Sequence, residues 1–195
     1  MNSRPLHLSV VIPARDRLDV LRRVLDGLCK QELAPEHFEV IVADDGSSDG
    51  TMDHLREQAG KTPFTLISLQ GGGEGAAAAR NRALAASRGE IILFLDADTI
   101  PSPSLLRRHL ELHSRARGAE CHLGRIEMSA ELMGPKQARW HELRLAAGDA
   151  RTGEIDFRRY RTANSSMPRS ALLEIHGFEE RLPAAEDLEL AYRLA

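Results

Sequence analysis

The sequence has few of the features that mark a specialised class. It carries two cysteines, Cys29 and Cys121. Their spacing builds neither a zinc site nor a disulfide framework. Cys29 lies on an apolar helical pattern and reads as a core thiol, and two unpaired cysteines fit a reducing compartment, so the expected location is the cytoplasm. No stretch reaches the roughly 20 apolar residues that span a bilayer. The apolar run near the N-terminus is too short for a signal-peptide core. Excess positive charge is also missing. Lys and Arg number 26 against 29 Asp and Glu, a net charge of −3, the wrong sign for a general nucleic-acid binder. No glycine fingerprint follows the first strand, which disfavours a dinucleotide-binding dehydrogenase.

What is present describes a globular chain. The 42% apolar and 28% charged fractions over 195 residues supply a real core, enough for one domain or one domain with a short extension. Apolar runs Val10–Ile12, Phe38–Ala43, Phe64–Leu69 and Ile91–Leu95 read as four strands, the first ended by Pro13. Between them lie helical patterns. Leu18, Leu21, Val24, Leu25 and Leu28 share one face. SDGTMDHLREQAG has Ser48 or Asp49 as N-cap and Gly60 as stop. AAAARNRALAAS is a strong helix former before Gly89. SLLRRHLELHSRA follows Pro103, with Ser102 as cap. Continuous apolar strands alternating with helices predict a mostly parallel, doubly wound α/β sheet with helices on both faces. Residues 1–117 form that unit. Residues 118–195 continue the same domain less regularly, with one more strand in AECHLGRIEM, a helix in GPKQARWHELRLAAG, a short helix ending at Gly177 and a last one from Glu186.

In open α/β sheets ligands bind beyond the carboxyl ends of the strands. Pro13, Ala14 and Arg15 follow the first strand; Asp44, Asp45, Gly46 and Ser47 the second; Asp96 and Asp98 the fourth. Four carboxylates on one edge repel one another, and a bound cation offsets that. In extended backbone Asp96 and Asp98 face the same way, and carboxylate pairs of this kind suit Mg²⁺ or Mn²⁺ shared with substrate phosphates. A lone Asp-x-Asp is most often just a turn; one after a buried strand, beside DDGS after another, favours the metal reading. Asp44-Asp45-Gly46-Ser47 also fits an Asx turn into a helix. GGGEG (71–75) lacks both the P-loop order and the GxGxxG spacing and reads as a flexible loop over the ligand. Arg80 either faces the pocket or is solvated.

Taken in order, VVIPARDR, IVADDGSSDGT, GxxxARNRALAASRGEIILFLDADTIP, TANSSMPRSALLEIHGF and AAEDLELAYRL resemble glycosyltransferase family 2 over nearly the whole chain. The resemblance implies a GT-A fold and an inverting transferase. Its donor would be a nucleotide diphospho-sugar, with uridine the usual base, and its cofactor Mn²⁺ or Mg²⁺. It implies that Pro13, Ala14, Arg15, Asp44, Asp45, Arg80 and Asp96 serve the nucleotide, that Asp98 with Asp96 serves the metal, and that Asp187, or less readily Glu186, is the general base. The bland reading of Glu186-Asp187 is an acid-rich helix start that suits the dipole. Ala184, Ala185 and His176 depart from the family pattern, and His176 reads as a helix-end residue. On the acceptor side Trp140, Asn164 and Ser166 are candidates, with helix packing and a turn before Pro168 as the alternatives. Arg158, Arg159 and Arg161 either meet an anionic acceptor or form a solvated face. The acceptor would be a glycan, a lipid or a small molecule, in polysaccharide or glycolipid biosynthesis, and no nucleic acid is expected. Such domains usually continue past this point, so a further C-terminal region and association with the cytoplasmic membrane face are expected. Two alternatives stay open: a domain that binds nucleotide-sugar without turnover, and a sugar-phosphate nucleotidyltransferase, which would need a Gly-rich basic signature where PARDR stands.

Overall fold

The computed structural model describes residues 6–127 and 156–195. Six strands form one sheet in the order β3-β2-β1-β4-β6-β5: β1 Leu8–Ala14, β2 Phe38–Asp44, β3 Thr65–Gln70, β4 Ile91–Leu95, β5 His122–Leu123 and β6 Asn164–Pro168. β1 pairs in parallel with β2 and β4, and β2 with β3. β6 runs antiparallel between β4 and β5. The helices are α1 Leu18–Leu28, α2 Thr51–Gln58, α3 Ala76–Ala86, α4 Leu105–Arg115, α5 Arg169–Glu174 and α6 Glu186–Leu194.

The central strands are largely apolar on both faces because alternate residues enter two separate cores; the buried pair Ser9 and Glu39, hydrogen-bonded to each other at 2.7 Å, interrupts the apolar runs. Val10, Ile12, Val40, Val42, Leu93 and Leu95 pack with Leu21, Val24, Leu25 and Leu28 of α1, Leu55 of α2 and Leu106 of α4. Val11, Ile41, Ala43, Ile92 and Phe94 pack with Ala77, Ala79, Ala83 and Leu84 of α3, Leu172 of α5 and Leu190 of α6. Each fully buried aliphatic side chain contributes roughly 1.5–3 kcal/mol. β3, at the edge, is only half-buried.

Several local expectations change. Pro13 lies inside β1, where the pairing with β4 has already ended at Val11–Phe94 and one flank of the strand is open. The N-cap of α2 is Gly50, at a left-handed φ of 87°, and neither Ser48 nor Asp49. Asp49, one residue earlier, accepts from the Thr51 N–H at 3.1 Å and hydroxyl at 2.6 Å, and from the Leu18 N–H at 2.9 Å, which ties the start of α2 to α1. Cys29 is exposed, because it follows the last buried turn of α1 and caps its C-terminus. Asn164, Ser165 and Ser166 form no turn. They are buried strand residues whose side-chain polar atoms are satisfied by His109, His113 and Tyr160 and by the Arg125 carbonyl. Of the described part of AECHLGRIEM, residues 119–127, only His122–Leu123 is strand. Trp140 and the helix expected around it lie outside the described residues.

Candidate active site

The carboxyl ends of β1, β2 and β4 meet on one edge of the sheet. Two loops there are stitched together. The Asp16 N–H donates to Ser47 Oγ at 2.9 Å, and the Ser48 N–H donates to Asp16 Oδ1 at 2.7 Å. Asp16 tolerates the left-handed φ of 48° this requires. Asp44 is fully buried, and its Oδ2 accepts from the N–H groups of Gly46 and Ser47 at 3.2 and 3.1 Å. It therefore makes the Asx turn itself, facing the loop it caps. Its Oδ1 is buried with no protein partner.

Asp45 faces the glycine-rich loop. Its two oxygens accept from the Glu74 and Gly75 N–H groups at 2.8 and 2.9 Å. Arg15 and Arg82 stand 3.6 and 3.7 Å away. Residues 71–75 are thus anchored to Asp45, and Arg82 also pairs with Glu74. Gly46 matters here: at φ 82° a Cβ would sit 3.2 Å from the Gly73 nitrogen, so the two loops touch backbone to backbone. Pro13 is half-buried, Ala14 buried and Arg15 exposed at the same edge.

Asp96 and Asp98 lie beyond β4, but not on extended backbone. The Thr99 N–H closes a turn on the Asp96 carbonyl at 3.0 Å. This replaces the two-residue alternation expected of a strand. Asp98 is exposed and Asp96 half-buried. The Asp96 carboxyl is pushed up from its ordinary range, first by burial and then by Asp98 and Asp187, with Arg80 acting in opposition. Asp187, at the start of α6, is therefore close enough for its charge to be felt at Asp96.

Arg80 proves to be buried, at 5% exposure, in the middle of the alanine helix α3. Its Nη1 donates to Glu186 Oε1 at 2.7 Å and its Nη2 to Asp96 Oδ1 at 3.3 Å. The Phe178 ring lies 5.5 Å from its guanidinium carbon. Asn81 was missed by sequence reasoning. Its Nδ2 donates to the Phe178 carbonyl at 2.9 Å and to Glu180 Oε1 at 2.8 Å, and its Oδ1 accepts from the Phe178 N–H at 2.9 Å. The adjacent pair in ARN was the available signal. A cleft of about 370 Å³ opens between residues 74–77, at the start of α3, and the 180–186 segment that leads into α6.

Asn164 and Ser166 face a second polar cluster, against α4. His109 Nδ1 lies 2.7 Å from Ser166 Oγ and its Nε2 3.0 Å from Asn164 Oδ1. His113 Nε2 lies 2.8 Å from the same Ser166 Oγ. The Asn164 oxygen only accepts, so His109 carries its proton on Nε2 and accepts the Ser166 hydroxyl proton at Nδ1. His113 then donates to that hydroxyl oxygen. Burial is the main cause that lowers both imidazoles to about 4. Arg158, Arg159 and Arg161 are exposed.

Carboxylate oxygens at the end of β4 are the hard donors that Mg²⁺ and Mn²⁺ take, and the gathering of Asp98 and Asp187 around Asp96, whose carboxyl is raised, fits a cation there. Among the described residues no three Asp, Glu, His or Cys side chains converge closely enough to hold a metal unaided. No helix among the described residues is long and apolar enough to cross a membrane.

A six-stranded, mostly parallel sheet with carboxylates gathered at its strand ends is the GT-A arrangement. The model of glycosyl transferase family 2 matches residues 9–173, and the chain belongs to that family. It is 28% identical over 214 aligned residues to validoxylamine A glucosyltransferase of Streptomyces hygroscopicus subsp. limoneus, covering 96% of this chain and 47% of the relative. It is 36% identical over 106 residues to poly(ribitol-phosphate) beta-glucosyltransferase of Bacillus spizizenii, covering 52% of this chain and 16% of the relative. Among solved structures, S. aureus TarS in complex with UDP matches with a TM-score of 0.75 at 22% identity, over 96% of this chain and 54% of that one. A mannosyltransferase from Pyrobaculum calidifontis with GDP-Man and Mn²⁺ matches with a TM-score of 0.75 at 22% identity, over 98% and 52%. The chain spans about half the length of the relatives it matches from end to end.

Proposed function

We propose that the chain carries the donor site and catalytic base of an inverting glycosyltransferase that moves a sugar from a nucleotide diphospho-sugar, a UDP-sugar in the first instance, to an acceptor hydroxyl. The observation that carries this is the meeting of Asp96 at the end of β4 with the Glu186-Asp187 start of α6 across Arg80, in a chain of this family. Glu186 is committed to Arg80, whereas the Asp187 carboxylate accepts only from the backbone N–H of its neighbour Leu188, at 2.8 Å, among the described residues. Asp187 is therefore the base. It takes the acceptor hydroxyl proton as that oxygen bonds to the anomeric carbon. The bond from that carbon to the diphosphate oxygen breaks, and its electron pair leaves with the nucleoside diphosphate. One displacement from the opposite face inverts the anomeric centre. Asp98, with Asp96, would hold a divalent cation, which when bound offsets charge on the departing diphosphate. Pro13, Ala14, Arg15 and Asp45 line the edge where the nucleoside would lie. A nucleoside-diphosphate donor is supported by the fold matches to proteins crystallised with UDP, UDP-GlcNAc and GDP-Man, and uridine is the base that the family resemblance favours.

Calorimetry of UDP with and without Mn²⁺, on wild type and Asp98→Ala, tests the reading. Metal-dependent binding that the variant loses is the expected result. UDP-sugar turnover abolished by Asp187→Asn then assigns the base. Binding with no turnover of any nucleotide-sugar makes the chain a binding domain, and no nucleotide binding with any metal refutes the donor site.

A further inference from the structure

Arg80 stands where the family resemblance puts a donor-binding cation, yet both of its terminal nitrogens are spent on protein carboxylates. Glu186 takes Nη1 at 2.7 Å and Asp96 takes Nη2 at 3.3 Å. These partners come from different parts of the chain, 106 and 16 residues away from Arg80. The guanidinium is shielded beneath them, with Phe178 against its face and its Nε buried without a partner. A charge so shielded is screened little by solvent, and a planar fork fixes the angle between its two acceptors as an ammonium cannot. Helix α3 permits this depth because its neighbouring positions, Ala77, Ala79 and Ala83, are small and lie on the core.

From this geometry we infer that Arg80 is a positioning residue of the transfer reaction and makes no contact with the donor: it bridges the end of β4 to the first residue of α6 and so sets Asp187 against the Asp96–Asp98 turn. The inference rests on the proposed function for its chemistry. The bridge itself is geometric and has its own readout. Asn81 supports it from the next residue, by clamping Phe178 and Glu180 ahead of α6. Cancelling repulsion among the carboxylates alone would need only a positive charge; holding α6 at a set angle needs two forked bonds.

Arg80→Lys keeps the charge and loses the fork. Glu186→Gln keeps the shape and weakens the pair. With UDP-sugar, Mn²⁺ and an acceptor that wild type uses, each variant is expected to lower kcat about ten- to a hundredfold, the penalty of a misplaced catalytic group. The KM for donor and the Kd for UDP should stay within about twofold of wild type. The double variant should lose little more than either single one, because both break the same link. A UDP Kd raised about tenfold in Arg80→Lys, or a kcat equal to wild type, overturns the inference. Hydrogen exchange provides a readout that does not depend on transfer. Residues 186–194 should exchange faster in Arg80→Lys than in wild type, with β1 and β2 unchanged. Unaltered exchange there overturns the bridge. A wild type that transfers no sugar to any acceptor refutes the proposed function, leaving the bridge to be judged by exchange alone.

Discussion

His109 should make this protein acid-sensitive well above the range where carboxylates titrate. It is 2% exposed, on the α4 side of β6, and among the described residues it faces neutral groups and other histidines: Ser166 and Asn164 from β6, His113 from its own helix and His122 from β5, with Glu120 beyond His122. Burial lowers it to about 4 in the fold, against about 6.5 in the unfolded chain. The sign follows from proton binding. Between those two values the unfolded state binds the proton and the native state does not, so stability falls as pH falls from about 6.5 to about 4, then levels. At pH 5 the loss from His109 alone is about 2 kcal/mol relative to pH 7, reaching about 3 kcal/mol below pH 4. A chain of this size should lose about 4–8 °C of Tm between pH 7 and pH 5 from this one group. His113, lowered for the same reason but less enclosed, adds a smaller increment. His109→Gln removes the titration and retains a donor and an acceptor. It should be less stable than wild type at pH 7 by about 1–2 kcal/mol, and the gap should close as pH drops to 5. Urea melts at half-unit steps from pH 7.5 to 4.5 measure both curves. Parallel curves, with the variant as far below wild type at pH 5 as at pH 7, would refute the reasoning.

Two backbone positions give further predictions. Ala185, the residue before Glu186, holds a left-handed φ of 64°, so Ala185→Gly should stabilise by about 1 kcal/mol and raise Tm by about 2–4 °C; an unchanged or lower Tm in a scanning melt counts against it. Gly89 lies against the central strand, where an added Cβ would sit 2.5 Å from the Ser9 nitrogen. Gly89→Ala should therefore cost about 2–3 kcal/mol and loosen the Ser9–Glu39 hydrogen bond of 2.7 Å; urea unfolding that matches wild type would show that the strand gives way freely.

The sequence makes the sheet legible because two cores demand apolar residues at consecutive positions, as in Val10–Ile12 and Ile91–Leu95. It makes the site edge legible because strand ends can be read off those runs. Depth is harder to read. Nothing in an alanine-rich helix tells that Arg80 turns inward, since helix propensity is silent about which face is covered. β6 was hidden for the opposite reason. Asn164-Ser165-Ser166 looks like a turn, and it becomes a buried strand only because His109, His113 and Tyr160 from other segments complete its hydrogen bonds. The Asp96–Thr99 turn likewise depends on where β4 stops pairing, which the apolar run alone does not fix.

The bridge from Arg80 to Glu186 also bears on the order in which the molecule assembles. β1, β2 and β3 pair between neighbouring segments, and β4 closes on β1 from Ile91 to Leu8, all within the N-terminal half of the chain. The link between α3 and the start of α6 spans 106 residues. Contacts of such long sequence separation form late, and a chain emerging from the ribosome folds its N-terminal part first. The acidic edge would then exist, ready for nucleotide, before Asp187 is in place beside it. Nucleotide affinity should appear earlier in refolding than any capacity to transfer sugar.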